Sequence, residues 1–448
     1  MPGKTESIFR AYDIRGIYGD TLNEDVMRGI GRAFSCLIEG ETVVVARDGR
    51  LSGESLSQAF MDGVISAGKN IEYLGILPLG VAMFHAWKNK MTTVFVTASH
   101  LPGDWNGLKF FKASGLGFME DDLNMIKDAF FGDIVKESGK GEIKKTDRNQ
   151  VIDAYIKHLV SAIKPSRKMS ITLDPGNGAA GVIVRKLFVG AGFIANVMYE
   201  EVDGNFPSRS PDPMSDMLEG LSRGLYGSDL GVAYDGDGDR MVVMDEQGTR
   251  LTPEQVSYII LSELLKDHPG PIVANVETTK TIDKIAERFK RHVHRVRVGH
   301  NYLMQAASDK GACFGMEPSG HYAVPSIFPF DDSLAISYYF ACVLSRRSEP
   351  LSKLASEIPS LPFERLNLDV PDDRKFGVIE NLTNEVVNHY PKTSTLDGIR
   401  VDLDNGWVLI RPSNTQPQIR LTIEARTPED LESLREEFSG ILKKYINP

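Results

Sequence analysis

The sequence predicts an α/β protein of several domains, and three observations carry that expectation: length, repetition, and a tail that breaks the repetition. At 448 residues the chain exceeds what one hydrophobic core organises, so two to four domains are expected. A unit of strand, polar loop, helix and strand recurs three times at a spacing of roughly 100 residues, the pattern of repeated βαβ-type units with buried strands. From about residue 363 the order changes to that of a smaller α+β domain. Boundaries are expected near 147, 251 and 362, giving segments 1–147, 148–250, 251–362 and 363–448.

In the first unit the β-branched run Val43-Val44-Val45-Ala46 leads into a polar loop at 47–53, a helical stretch at 54–67 and an apolar run at 71–77. In the second, Ile171-Thr172-Leu173 ends in DPGNGAAG, followed by a helical stretch at 182–189 and a run at 194–198. In the third, Ile272-Val273-Ala274 ends in NVETTKT, followed by a helical stretch at 282–289 and a run at 293–298. Each unit then supplies one more strand ending in an unusual polar loop: TTVFV into TASH, DLGVAY into DGDGDR, ACFGM into EPSGH. Loops at the carboxyl ends of strands in α/β sheets are where ligands bind. The tail reads as a strand at 365–370, a helix at 376–389, strands around IRVDL, GWVLIRPS and QIRLTIEAR, and a closing helix at 428–445. Its alternating apolar and polar positions predict an antiparallel sheet with one covered face.

Composition narrows the function classes. A net charge of −10, from 51 basic and 61 acidic residues, argues against nucleic-acid binding, which needs a basic excess. A local cluster of arginines can still hold one phosphate. No apolar run approaches the ~20 residues of a membrane span, and Met1-Pro2-Gly3-Lys4-Thr5-Glu6 lacks a signal-peptide core. Three scattered cysteines supply neither a zinc site nor a disulfide framework. A cytoplasmic location is expected.

The polar loops carry the chemistry. DGDGDR sets Asp235, Asp237 and Asp239 on alternate positions, and alternation in extended backbone would point all three carboxylates one way. Carboxylates that close repel and raise each other's pKa unless a cation neutralises them, and hard oxygen ligands suit Mg²⁺ or Ca²⁺. An EF-hand loop competes, since Glu246 falls at its twelfth position, but Arg240 stands where that loop needs glycine and both flanks read as strands. RPSNTQPQIR offers Arg411, Ser413, Asn414, Thr415 and Arg420, with guanidinium and hydroxyl groups able to cradle a phosphate. GMEPSGHY offers Glu317 and Ser319 for hydroxyl recognition and His321 for proton transfer or phosphate contact. Ser99 follows an apolar strand without the G-x-S-x-G elbow of a hydrolase. A phosphoryl-carrying serine, neutralised by the nearby cation, accounts for more of the sequence.

Together these loops resemble the α-D-phosphohexomutase superfamily, in particular its bacterial and archaeal phosphomannomutase/phosphoglucomutase group. The resemblance runs from FRAYDIRG at 9–16 to RPSNTQPQIR, with the loops in family order. It implies four domains around a central cleft, three of related mixed-sheet α/β topology and a fourth resembling the TATA-binding-protein fold. It implies interconversion of hexose 1-phosphate and hexose 6-phosphate through a phosphoserine and a bisphosphorylated sugar, with Mg²⁺ as cofactor. By position, Ser99 matches the phosphorylated serine and a metal ligand, and Asp235, Asp237 and Asp239 match the other metal ligands. Glu317 and Ser319 match the sugar readers. Arg411, Ser413, Asn414 and Thr415 match the site for the non-reacting phosphate. Tyr12, Arg15, His100, Lys109, Arg240, His300 and His321 match cleft positions, with Lys109 and His321 the leading acid/base candidates. Leu101, Pro318 and Gln416 depart from the usual Asn, Met and Glu, which bears on substrate preference. Expected partners are hexose phosphates and a hexose bisphosphate, with the protein a monomer or homodimer. Phosphoglucosamine mutase is the nearest alternative; a phosphatase or a non-catalytic sugar-phosphate binder is more remote.

Overall fold

The computed structural model describes residues 5–38, 40–132, 139–413 and 417–446. The first sheet holds β1 (Asp13–Ile17), β2 (Thr42–Arg47), β3 (Asn70–Ile76), β4 (Thr92–Val96), β5 (Trp105–Phe111) and β6 (Ile143–Lys145), in the order β1-β5-β4-β2-β3-β6. The second holds β7 (Ser170–Asp174), β8 (Ile194–Val197), β9 (Leu230–Tyr234) and β10 (Met241–Asp245), in the order β10-β9-β7-β8. The third holds β11 (Ile272–Asn275), β12 (Val293–Val296), β13 (Phe314–Met316) and β14 (Tyr322–Ala323), in the order β12-β11-β13-β14.

The three sheets share a core pattern. Strands β3-β2-β4, β8-β7-β9 and β12-β11-β13 run parallel, and each set is extended by an antiparallel return strand, β5, β10 or β14. Buried parallel strands read as continuous apolar runs, which is why the repeat was visible. The return strands make the sheets mixed, and each unusual polar loop is the connection into one of them.

The helices follow from local signals. Asn23 caps Glu24–Ser35 by accepting from Val26 N–H at 3.0 Å, and Asp147 caps Arg148–Ala162 through Asn149 N–H at 2.9 Å. Thr252 and Gln255 form a reciprocal capping box ahead of Pro253–Leu264, which satisfies two otherwise orphaned donors. Ser333–Leu344 is apolar and buried on every side, as a helix at the centre of a large protein must be. It joins a single apolar core that runs through the first three domains.

The fourth sheet is antiparallel throughout. It holds β15 (Phe363–Asp369), β16 (Thr393–Ser394), β17 (Ile399–Asp402), β18 (Gly406–Pro412) and β19 (Gln418–Ala425), in the order β15-β19-β18-β17-β16. Helices Asp372–His389 and Pro428–Ile446 complete a separate core. The short β16 had no sequence expectation. No helix among the described residues is long and apolar enough to cross a membrane.

Candidate active site

All four domains contribute walls to one cleft of about 630 Å³. The first contributes Tyr12, Arg15, His100 and Lys109; the second, Arg240; the third, His300, Glu317, Ser319 and His321; the fourth, Arg411 and Arg420. Ser99 and the three aspartates lie just behind this lining, at most 1% exposed. Ser413 is fully buried, its backbone N–H donating to Gln418 O at 2.8 Å. Asn414 and Thr415 lie outside the described residues.

Ser99 sits in the β4–β5 connection with φ +53°, a left-handed conformation unusual for a residue with a side chain. Its N–H donates to Thr97 Oγ1 at 2.8 Å. Its hydroxyl donates to Asp235 Oδ2 at 2.7 Å, and Oγ lies 3.3 Å from His100 Nδ1. The serine of the first domain is thereby joined to the acidic loop of the second.

That loop does not use the extended alternation expected from the sequence. Residues 236–239 form successive bends, with Gly238 at φ +77°. The N–H groups of Gly238, Asp239 and Arg240 all donate to Asp235 Oδ1 at 3.0–3.1 Å, and this turn, rather than strand alternation, gathers the carboxylates. One oxygen from each lies within 4.8 Å of the others. Lys109 on β5 bridges Asp237, at 2.9 Å, and Asp239. Burial alone would lower the Lys109 pKa, but Asp237 and Asp239 outweigh it and hold it raised, so Lys109 is an ammonium here. Asp237 Oδ1 and Asp239 Oδ1 are buried without a hydrogen-bond partner among the described residues. Three buried carboxylates with unmatched hard oxygens fit a divalent cation.

A second cluster links the histidines. Asp331 Oδ2 accepts from His321 Nδ1 at 2.6 Å and lies 3.3 Å from His300 Nδ1. Arg240 Nε donates to His321 Nε2 at 2.9 Å, so this network fixes His321 with its proton on Nδ1. Burial would raise the Asp331 carboxyl, but His300 and His321 outweigh it and hold it well below the usual range. Burial, with Arg240 and Arg15 close by, holds His100 well below the usual imidazole range. His100 is therefore neutral beside Ser99.

Beside the acidic loop, whose neighbour Met241 donates its N–H to Gly320 O at 3.2 Å, Glu317 Oε1 accepts from Gly299 N–H at 2.8 Å, and Ser319 Oγ donates to Glu317 Oε2 at 3.0 Å. In the fourth domain Arg411 Nε donates to Glu277 Oε1 at 3.1 Å, and Arg365 reaches Glu277 Oε2 at 3.2 Å. Both Arg365 and Glu277 line the cleft. The sequence reading missed Asp331, Glu277 and Arg365. A signal existed for Glu277, which sits in NVETTKT, the first polar loop of the third unit.

Models of the phosphoglucomutase/phosphomannomutase family match the chain in four consecutive pieces. Alpha/beta/alpha domains I, II and III match residues 6–135, 153–248 and 252–361, and the C-terminal domain matches 366–441. The chain belongs to the phosphoglucomutase/phosphomannomutase family. Among relatives of this family, a phosphomannomutase/phosphoglucomutase of Pseudomonas aeruginosa is 33% identical over 99% of this chain and 96% of that protein. A probable phosphoglucosamine mutase of Methanopyrus kandleri is 29% identical over 98% of each. The crystal structure of a phosphoglucomutase/phosphomannomutase family protein from Burkholderia thailandensis superposes with a TM-score of 0.89 at 30% identity, covering 98% of each chain.

Within this family cleft, Asp331 touches two histidines and so sets the position of both rings. Asp331→Asn is expected to keep the fold but to lower kcat by about 10- to 100-fold, the usual cost of losing a carboxylate that orients a functional imidazole. Steady-state kinetics alongside a thermal melt check this.

Proposed function

We propose that this protein is a Mg²⁺-dependent mutase interconverting the 1-phosphates and 6-phosphates of mannose and glucose, with Ser99 as the phosphoryl carrier. The observation that carries this reading is the 2.7 Å contact of Ser99 Oγ with Asp235 inside a buried three-aspartate cluster. It pairs a hydroxyl with a divalent-metal donor set at one end of a cleft whose other end is lined by arginines. In this reading Ser99, Asp235, Asp237 and Asp239 hold the Mg²⁺, which when bound neutralises the phosphoserine and polarises its P–O bonds.

The chain's own groups then divide the work. The phosphoryl group passes from Ser99 Oγ to the free hydroxyl of the sugar phosphate, giving a bisphosphorylated sugar and a free serine. The sugar reorients in the cleft, and its other phosphoryl group returns to Ser99. His100, neutral and 3.3 Å from Oγ, holds or moves the proton at that oxygen. Lys109, bonded to Asp237 and Asp239, donates to phosphoryl oxygens and stays a candidate for proton transfer beside His321. His321 is the second proton-transfer group once Arg240 turns from its Nε2 to a ligand. Glu317 and Ser319 read sugar hydroxyls, and Arg411 and Arg420, with the 413–415 loop, hold the phosphate that is not reacting.

The sugar follows from what the site reads. Glucose and mannose differ at C2 and share their 3- and 4-hydroxyl configurations. If Glu317 and Ser319 read O3 and O4, both epimers fit. The M. kandleri relative favours a second reading, phosphoglucosamine mutase; against it, Asn414 stands where such enzymes typically carry glycine.

Three outcomes are expected. Intact-mass measurement finds a phosphoryl adduct on the purified protein, and Ser99→Ala abolishes both adduct and turnover; full mutase activity in that variant would sink the mechanism. EDTA stops turnover and Mg²⁺ restores it, whereas unchanged turnover after rigorous chelation refutes the metal reading. In a coupled assay of the three 1-phosphates, kcat/KM for glucose and mannose falls within roughly two orders of magnitude, below what a dedicated polar C2 site achieves. A clear preference for glucosamine 1-phosphate overturns the choice of sugar.

A further inference from the structure

Behind the serine loop lies a charged side chain that none of the roles above uses. Arg50 is 1% exposed, and all five of its side-chain N–H donors are engaged. Nε donates to Asp48 Oδ2 at 2.9 Å. Nη1 donates to the carbonyls of Pro102 and of Trp105, the latter at 2.9 Å. Nη2 donates to the carbonyls of Ser99, at 2.8 Å, and Leu101, at 2.7 Å. Three carbonyls of one short loop, Ser99's own among them, and that of Trp105 at the start of β5 thus converge on one planar cation.

We propose that Arg50 is the positioning residue of the phosphoryl-carrying loop, holding Ser99 Oγ in line for transfer. This rests on the reading of Ser99 as the carrier. Ser99 is held at φ +53°, a conformation a serine does not favour by itself, so something outside the loop must impose it. The guanidinium fixes the Ser99–His100 peptide from the carbonyl side. Asp48 completes the frame: its Oδ2 also accepts from Thr97 Oγ1 at 2.7 Å, and Thr97 Oγ1 in turn accepts from Ser99 N–H at 2.8 Å. Ser99 is therefore held at its C=O by Arg50 directly and at its N–H through Thr97, whose hydroxyl bonds Asp48. The pair is itself wedged against the second domain, with Phe206 5.3 Å from the guanidinium and Gly204 so close that a Cβ there would lie 2.5 Å from Leu51 N. The domain that supplies the metal loop thereby also braces the frame that aims the serine.

Lysine keeps the charge but not the fork, so Arg50→Lys separates aiming from burial of a cation. The test loads dephosphorylated wild type and variant with glucose 1,6-bisphosphate, follows Ser99 phosphorylation by quenched intact-mass sampling, and measures kcat, KM and the thermal midpoint. The expected result is phosphorylation and kcat slowed by about 10- to 100-fold, as for misplacement of a reacting group by a fraction of an ångström to an ångström. KM should move by less than roughly threefold, since the sugar contacts are untouched. Should Arg50→Lys not fold, Asp48→Asn carries the same expectation. Unchanged phosphorylation rate and kcat in a folded variant, or a loss that only tracks the folded fraction, overturns the proposal and leaves Ser99 as carrier intact. A wild type that takes up no phosphoryl group overturns the carrier reading and this proposal with it.

Discussion

The carboxylates of Asp235, Asp237 and Asp239 meet fully buried, and the charge gathered there governs what surrounds it. At an effective dielectric of 20, two like charges about 4 Å apart repel by ~4 kcal/mol, so an unanswered cluster would not stay assembled. Three backbone N–H groups answer Asp235 Oδ1. The Ser99 hydroxyl answers its other oxygen, and Lys109 answers Asp237 and Asp239. The serine and lysine come from the first domain and the aspartates from the second, so the cluster fixes how those two domains meet. Oxygens left unmatched, on Asp237 and Asp239, are the opening for a divalent ion.

The repeated topology explains why such loops meet at all. Each of the first three sheets ends its central parallel set in a hairpin, β4–β5, β9–β10 or β13–β14, and the hairpin loops 97–104, 235–240 and 317–321 all meet at the cleft. The fourth domain, built on another plan, also uses a hairpin, β18–β19, to present Arg411 and Arg420. One apolar core joins the first three domains. The fourth keeps its own core and meets the third through the small cluster of Val276, Trp407 and Leu409 and through polar contacts such as Lys280 to Leu403 O.

What the sequence made legible was what leaves a local trace. Buried parallel strands such as β2, β7 and β11 are apolar throughout, and three aspartates in six residues have few bland explanations. The turn at 235–240 was not legible, because charge spacing alone does not reveal that Gly238 adopts a positive φ or that Asp235 collects three N–H groups. Asp331 was hidden by its neighbour: in FPFDDS one acid, Asp332, caps the following helix while the other faces two histidines. Glu277 stood in a recognisable polar loop, but its partners Arg365 and Arg411, like the carbonyls that Arg50 meets, come from segments about 50 to 130 residues away, which no local pattern encodes.

The arginine end of the cleft shows the opposite electrostatic problem, and its solution suits a reversible isomerase. Arg365, Arg411 and Arg420 approach one another, and Glu277 lies among them. Burial would raise the Glu277 carboxyl, but Arg411 and Arg365 outweigh it and keep it ionised. The carboxylate holds Arg411 by Nε, so its role is to orient the guanidinium as well as to neutralise it. It also weakens the grip that bare arginines would exert on a phosphate. Under the proposed reaction this end must hold whichever phosphate is not reacting, in substrate, intermediate and product alike. Binding that is uniform across those states adds nothing to kcat and, beyond a point, slows release. A phosphate site tempered by its own carboxylate is therefore what an enzyme that must let its intermediate turn and its product leave requires.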